Sequence, residues 1–228
     1  KATPLWQIAG WLGVLAGFLI LSYYSVIAGW SMAYLFKMVG GFMDQVGPEE
    51  AQQVFMDLKA AADVQLVWHS LFMALTTAIL MKGLTEGIER VTRVMIPSLF
   101  LMLLALDVYA ATTPGFWEGM TFLFKPDFSK ITPDSLLIAM GQAFFSLGLG
   151  MGSIMIYGAY LPKNVSIGRS SVIVSIADTA VALMAGIAIF PVVFSNHLPP
   201  SMGPGLIFET LPLAFSHMPL GALFGSLF

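Results

Sequence analysis

Residues 141–153 read Gly-Gln-Ala-Phe-Phe-Ser-Leu-Gly-Leu-Gly-Met-Gly-Ser, and three alternating glycines interrupt this otherwise apolar segment. The uncharged run around them extends from residue 135 to residue 162 and is long enough to cross a bilayer. A glycine in a helix interior costs about 1 kcal/mol relative to alanine, so the cluster indicates a point where the helix breaks. The same glycines also allow close packing between two helices, and the pattern alone leaves both interpretations open.

The composition is that of an integral membrane protein. Of the 228 residues, 57% are apolar and only 10% are charged, and the mean hydropathy is +0.84. An ordinary soluble domain has about 25% charged residues and cannot bury so much apolar surface. The net charge of −3 without a basic patch argues against a nucleic-acid partner. The absence of cysteine excludes disulfides and thiolate metal sites.

Uncharged runs predict an all-α chain that crosses the membrane several times. The predicted spans are residues 8–37, 63–82, 94–112, 135–161 and 169–194, with a truncated span from residue 218. Basic residues are in modest excess on the side of the 82–93 and 163–169 connections, so we place that side in the cytoplasm. The extracellular loops are then residues 38–62, 113–134 and 195–217.

Short features within these loops predict local structure. Residues 48–62 fit an amphipathic helix with Val54, Leu58 and Ala61 on one face. The sequence Thr132-Pro133-Asp134 combines a capping hydroxyl, a proline at the first helical position and an early acid, which predicts a helix start. The segment 197–215 is rich in proline and glycine, and we expect it to form a folded cap.

The two ends of the sequence suggest that it belongs to something longer. Residue 1 is lysine, with no signal-peptide pattern after it. The apolar run from residue 218 stops at residue 228, short of the roughly 20 residues that a spanning helix needs. We therefore expect an internal piece of a longer multi-pass protein of the plasma or inner membrane.

Asp178 is the polar residue that most suggests a function. It follows Arg169 by nine positions in an apolar run, which places it near mid-membrane if the run is helical. A carboxylate at that depth costs about 2.5–3.5 kcal/mol on insertion scales and is a functional-site hypothesis by default. Its expected partner is a bound cation or a proton, and the alternative is a protonated side chain bonded to a neighbouring helix.

Other polar and aromatic residues share this depth, but no catalytic motif accompanies them. Tyr24 falls in the middle of the first span, where a tyrosine hydroxyl needs a hydrogen-bond partner. Gln142, Phe145 and Ser146 lie on one helical face just before the glycines. The chain has no metalloprotease, phosphate-binding or paired-acid motif, so we do not expect an enzyme.

Four stretches of the chain together resemble one transporter family. Residues 82–91 (KGLTEGIERV), continuing to Pro97, are similar to the cytoplasmic loop and fifth helix of neurotransmitter:sodium symporters. Residues 126–130 (PDFSK) resemble the loop before their sixth helix, and residues 141–152 resemble that broken helix. The helix around Asp178 is similar to their seventh. The resemblance runs from the third helix to the start of the eighth, and broken helices are a known property of this fold.

The resemblance implies an inverted-repeat fold with a discontinuous helix near Gly148 and sodium-coupled symport by alternating access. It also implies roles for particular residues. Tyr24 matches the tyrosine whose hydroxyl contacts the substrate carboxylate, and Ile20 matches a pocket wall. Phe145 looks like the aromatic lid over the substrate. The unwound backbone at Gly148 and Gly150 is expected to face the substrate, and Met151 occupies a pocket position that is aromatic in some relatives.

The same resemblance implies sodium ligands and gates. Ser146 resembles the hydroxyl ligand of the first sodium site, and Asp178 stands where the family often has asparagine. Gln142 matches a residue of the external gate, whose arginine partner would lie in a helix absent from this chain. Tyr160 resembles a tyrosine of the cytoplasmic gate.

Two departures from the family pattern bear on specificity. Many relatives have serine where this chain has Gly148, and the missing side chain leaves room for a larger substrate. Chloride-dependent members pair a neutral asparagine with a serine one turn later, where this chain has Asp178 and Ala182. A fixed carboxylate supplies the negative charge that chloride otherwise brings, so we expect no chloride requirement.

The sequence therefore predicts part of a sodium-coupled symporter of neutral, hydrophobic or aromatic L-amino acids. Its expected partners are a small amino acid, sodium ions and the lipid bilayer. Two alternatives stay open: a transporter coupled to protons through Asp178, and a non-transporting membrane receptor or subunit. Because the first two helices and most of the eighth are missing, we expect the chain alone not to transport.

Overall fold

The computed structural model describes residues 5–42, 46–162, 164–198, 200, 203–216 and 221–227, and all the regular elements within these ranges are helices. Lys1, Lys163 and the predicted start of the last span at residue 218 lie outside the described residues. So do short parts of two predicted external loops, at residues 43–45, 199, 201–202 and 217.

The helices follow one another with short connections. In chain order the α-helices are α1 (Leu5–Val39), α2 (Pro48–Ala60), α3 (Ala62–Leu80), α4 (Arg90–Ala111), α5 (Phe116–Phe124), α6 (Pro133–Ser146), α7 (Ser153–Ala159), α8 (Ile167–Ser195), α9 (Leu211–Ser216) and α10 (Gly221–Leu227). Two π-helical segments, Leu84–Glu89 and Leu206–Thr210, precede α4 and α9, and a 3₁₀ turn covers Phe128–Lys130.

Four helical segments of the described chain are long and apolar enough to cross a membrane. They are Trp6–Val39, Ala62–Leu80, Glu86–Ala111 and Ile167–Ser195. Large apolar side chains along them face outward, as expected for surfaces that meet lipid or other helices. The remaining apolar span predicted by the sequence, residues 135–161, is divided between α6 and α7.

The chain forms two compact units. The first contains the residues up to Tyr24 together with Pro126–Ala182, and the second contains Ser25–Lys125 together with the residues from Leu183 onward. The boundary therefore falls within α1 and within α8. All the residues to which the sequence assigns a site role, from Ile20 to Asp178, belong to the first unit.

Helix α6 begins where its capping sequence predicts. Thr132 is the N-cap, its Oγ1 accepts a hydrogen bond from the backbone N–H of Ser135 at 3.2 Å, and Pro133 is the first helical residue. This cap fixes the register of the helix. The register in turn determines which side chains stand on the face that leads to the glycine cluster.

The second unit has a core of aromatic rings. Phe55 of α2 stacks on Phe208 with ring centroids 5.3 Å apart, and Trp30 of α1 meets both rings edge-on. The indole Nε1 of Trp30 donates to Gln65 Oε1 at 3.1 Å. Leu58 is buried beside Phe55, so the apolar face that the sequence predicts for α2 does face inward.

Two helical segments occur where the sequence analysis placed connections. The run from Leu84 through α4 begins well before the predicted start of the span at residue 94. Its charged residues favour the helix, since Arg93 Nη2 lies 2.6 Å from Glu89 Oε1 one turn earlier. Helix α5 occupies part of the predicted loop 113–134, and its Gly119 lies against Pro191 of α8.

Candidate sodium and substrate site

The glycine cluster breaks the helix. Helix α6 ends at Ser146, α7 begins at Ser153, and residues 147–152 are turn and bend. The backbone N–H of Leu149 donates to Phe144 O at 2.8 Å, and that of Gly148 donates to Phe145 O at 3.0 Å. This pair of bonds is a Schellman C-cap, with Gly148 in the left-handed conformation that such a cap requires.

Each of the three glycines has a left-handed backbone. The φ angles of Gly148, Gly150 and Gly152 are 67°, 80° and 80°. A residue with a Cβ meets its own carbonyl there, so alternating glycines allow the chain to leave α6 and enter α7 without strain. The hydroxyl of Ser153 donates back across the break to Gly148 O at 3.2 Å.

The glycines also serve for packing, so the two interpretations of the sequence both hold. A Cβ built on Gly152 would lie 3.0 Å from the Cα of Gly13, and a Cβ on Gly13 would lie equally close to the Cα of Gly152. Gly13 was not among the residues that the sequence analysis selected. The sequence does contain a pattern that indicates helix packing at Gly13, because Gly13 and Gly17 form a Gly-x-x-x-Gly pair in an apolar helix.

Ser146 and Asp178 meet beside the break. The Ser146 hydroxyl, on the last residue of α6, donates to Asp178 Oδ2 of α8 at 2.8 Å. Donation uses the only proton of the hydroxyl, so its oxygen lone pairs can still accept or ligate. The carboxylate also keeps acceptor positions beyond the one that this hydrogen bond uses. The two side chains therefore place several oxygen acceptors, one of them ionisable, next to unwound backbone.

Tyr24 and Phe145 form the aromatic part of the site. Their rings stack with centroids 5.9 Å apart and an interplanar angle of 28°. Tyr23 meets Tyr24 edge-on at 5.9 Å. Phe145 immediately precedes Ser146, so the stack and the Ser146–Asp178 hydrogen bond lie on successive residues of α6. Tyr24 and Phe145 are each 43% exposed within this chain.

The other predicted site residues lie close to this group along the chain. Ile20 is half-buried one turn before Tyr24, and Gln142 is exposed one turn before Ser146. Met151 lies in the break and lines an apolar cavity of about 830 Å³ between the first half of α1 and α7. That cavity includes Gly13, Gly17 and Gly152 but not Tyr24, Phe145 or Asp178. Tyr160 ends α7 and is 67% exposed.

The donor set does not suit a transition metal. Among the described residues, no three His, Cys, Asp or Glu side chains come together. One carboxylate, one hydroxyl and nearby backbone carbonyls are instead the oxygen ligands that a hard, weakly bound cation takes at a broken membrane helix.

Comparisons with known proteins agree with this geometry. The profile of the sodium:neurotransmitter symporter family matches residues 49–228. The chain belongs to this family. It is therefore part of a multi-pass membrane protein from a family of transporters rather than enzymes.

Relatives of this chain include bacterial proteins and a solved structure. An uncharacterized sodium-dependent transporter of Bacillus subtilis (strain 168), YhdH, is 42% identical over 219 residues, which is 96% of this chain and 49% of that protein. An uncharacterized sodium-dependent transporter of Haemophilus influenzae is 37% identical, covering 98% of this chain and 50% of that protein. The crystal structure of MhsT in complex with L-phenylalanine matches with a TM-score of 0.89 and 43% identity, over 100% of this chain and 52% of MhsT.

The chain thus spans about half the length of these relatives. Its similarity to MhsT confirms an all-α transporter fold with a discontinuous helix near Gly148. The profile match begins at residue 49, so Ile20 and Tyr24 lie outside it, but the matches to the Haemophilus protein and to MhsT cover nearly the whole chain.

Proposed function

We propose that the chain is part of a sodium-coupled symporter that carries neutral, hydrophobic or aromatic L-amino acids by alternating access. The observation that carries this proposal is the hydrogen bond between Ser146 and Asp178 at the broken helix, with the Tyr24–Phe145 stack on the adjacent residue of α6. The rest of the substrate and ion sites would come from helices outside this chain.

Sodium is the cargo ion that these residues fit. The Ser146 hydroxyl and the Asp178 carboxylate are oxygen ligands, and the segment 147–152 adds backbone carbonyls that have left the helical ladder. Asp178 also supplies a fixed negative charge, so we propose that chloride is not needed beside the cation. The similarity to proteins described as sodium-dependent transporters supports the choice of ion.

The aromatic pair and the missing side chain at Gly148 favour a large apolar substrate. Phe145 covers the Tyr24 ring, and we assign it the role of a lid over the bound amino acid. The Tyr24 hydroxyl would contact the substrate carboxylate, with the backbone near Gly148 and Gly150 beside it. Ile20 and Met151 would contribute apolar walls. The complex of the similar protein MhsT with L-phenylalanine supports this substrate class.

Gln142 and Tyr160 are assigned to the two gates. Gln142 stands on the α6 side of the break and Tyr160 at the far end of α7. In alternating access, one side of a fixed mid-membrane site opens while the other closes. Residues on opposite sides of the break can take part in opposite gates.

Coupling follows from the adjacency of the ion and substrate groups. A cation held by Ser146 would order the end of α6, which also carries Phe145. Sodium binding would therefore strengthen amino-acid binding, and the amino acid would strengthen sodium binding by the same factor.

Uptake of radiolabelled L-phenylalanine by the full-length symporter in proteoliposomes tests this function. We expect accumulation with an inward Na⁺ gradient, with either chloride or gluconate as the anion, and none with a proton gradient alone. Uptake driven by protons without Na⁺ would favour the proton-coupled alternative. Binding without accumulation under every gradient would favour a receptor or subunit.

A further inference from the structure

A pocket of about 600 Å³ lies within the second unit, at the polar end of α1. Its walls come from the last turn of α1, from the amphipathic helix α2 and from the first turns of α3. None of the residues assigned to sodium or substrate lines it. The pocket therefore needs an explanation separate from the transport site.

One cation and one anion face this pocket without neutralising each other. Lys37 and Asp57 both line it, yet among the described residues neither makes an ion pair. Gln53 Nε2 donates to Asp57 Oδ1 at 2.6 Å, which orients the carboxylate and leaves its negative charge. The Lys37 ammonium lies 4.8 Å from the centroid of the Phe42 ring. A pocket with separated opposite charges complements a zwitterion.

The deeper wall of the pocket is aromatic. Phe36 and Trp68 both line it, and their rings are 5.2 Å apart. Phe36 precedes Lys37 on α1, and Trp68 lies about two helical turns into α3, so both rings belong to helices that are long and apolar enough to cross a membrane. Phe36 remains 59% exposed. The apolar wall therefore continues from the charged rim toward the hydrocarbon region.

We propose that this pocket binds the headgroup of a zwitterionic aminophospholipid of the phosphatidylethanolamine type. The lipid phosphate pairs with the Lys37 ammonium, and the primary ammonium of the lipid donates to the Asp57 carboxylate. The acyl chains pass along Phe36 and Trp68. A free amino acid carries the same two charges, but it has no acyl chains to contact an apolar wall that leads into the bilayer.

Native mass spectrometry of the purified full-length symporter tests this assignment. The probes are equimolar phosphatidylethanolamine and phosphatidylglycerol with identical palmitoyl-oleoyl chains. We expect the wild type to retain phosphatidylethanolamine about tenfold more than phosphatidylglycerol, the discrimination that one well-placed charge-assisted hydrogen bond gives.

The two charges have separable effects. Asp57→Asn removes only the partner of the lipid ammonium. The ratio of retained phosphatidylethanolamine to phosphatidylglycerol should therefore fall to about one, which means no preference. Lys37→Gln removes the partner of the phosphate group, which both lipids contain. Retention of both lipids should therefore fall while the ratio between them stays the same. The matched controls Lys59→Gln and Asp63→Asn change the same residue types on α2 and α3 outside the pocket. They should behave as the wild type, and unchanged thermal stability of all four variants shows that each is folded.

Four results would overturn the assignment. Equal retention of both lipids by the wild type would remove the headgroup selectivity. An unchanged preference in Asp57→Asn would place the selective site elsewhere. Displacement of the lipid by excess L-alanine in Na⁺-free buffer would mean that the pocket takes a free amino acid. Absence of any retained lipid would indicate that another part of the symporter, or a second copy, fills the pocket.

Discussion

The contact between α1 and the break that separates α6 from α7 predicts that alanine at two glycines of the break will lower the stability by different amounts. Gly150 and Gly152 both have φ of 80°. Alanine at either position should lose about 1–2 kcal/mol to the left-handed backbone. A Cβ on Gly150 meets nothing within 4 Å, whereas one on Gly152 would lie 3.0 Å from Gly13 Cα. Overpacking of this kind costs a further 1–3 kcal/mol, roughly.

Gly150→Ala is therefore the matched control for Gly152→Ala. We expect a destabilisation of about 1–2 kcal/mol for the control and about 2–5 kcal/mol for Gly152→Ala, the sums of the two terms above. The difference reports the helix contact, because both positions have the same φ angle and both variants carry the cost of a left-handed backbone.

A second pair tests the same contact from α1. Gly10 and Gly13 both lie in the interior of α1, where alanine should gain about 0.5–1 kcal/mol of helix stability. A Cβ on Gly10 meets nothing within 4 Å, but one on Gly13 meets Gly152 Cα at 3.0 Å and the Met155 side chain at 3.1 Å. Gly10→Ala should be neutral or stabilising, and Gly13→Ala destabilising.

Equilibrium unfolding of the purified full-length symporter in mixed micelles measures these changes. We expect Gly152→Ala to be less stable than Gly150→Ala, and Gly13→Ala to be less stable than Gly10→Ala. If the members of each pair are equal within error, the glycines serve only the backbone of the break, and the packing role assigned to Gly13 is wrong.

Two further predictions concern single groups of the first unit. Tyr24→Phe keeps the ring stack on Phe145 but removes the hydroxyl, so L-phenylalanine binding should weaken by about tenfold or more with unchanged thermal stability; unchanged affinity would refute the role of the hydroxyl. Hydrogen bonds from the Ser129 hydroxyl and backbone N–H, with a smaller contribution from Lys130, lower the pKa of Asp127. The ionised carboxyl thus stabilises this turn above its usual pKa, and that contribution is lost as the pH falls through the lowered value. Ser129→Ala should raise the pKa of Asp127 in a ¹³C NMR titration, and an unchanged value would contradict this cause.

The sequence predicted those parts of the fold that depend on local pattern. Hydrophobic run length predicted the long helices, and the signals at Thr132 and Pro133 predicted the start of α6. The glycine cluster predicted the break, because the requirement for a left-handed backbone is a property of the residues themselves. The apolar face of α2 followed from its period of about 3.6 residues.

Features that depend on tertiary contact were not predicted. Helix α5 lies in a segment that begins with proline and glycine, and its Gly119 allows it to pack against Pro191, far away in the sequence. The ring stack of Phe55 on Phe208 is equally distant and leaves no periodic signal. The early start of the helical run before α4 was not predicted, because charged residues are typical of the end of a membrane span, although Glu89 and Arg93 stabilise a helix.

In the candidate site, too, some residues could be selected from the sequence, whereas the contacts between them could not be predicted. Asp178 could be selected from residue type and depth, and Ser146 was selected as an ion ligand through the family resemblance. Residue pattern alone could not establish that the hydroxyl of Ser146 donates to the carboxylate of Asp178 across 32 positions. Gln142 and Tyr160 were selected through the family resemblance. Their gating roles stay predictions.

Sodium dependence of L-phenylalanine binding by the full-length symporter tests the central claim most directly. Titration of Na⁺ should increase binding by the wild type and by the control Asp134→Ala, which changes an exposed aspartate at the start of α6. Asp178→Ala should bind the amino acid without response to Na⁺, because the charged ion ligand is gone. A sodium response in Asp178→Ala equal to that of the wild type would contradict the assignment of the Ser146–Asp178 pair as the ion site.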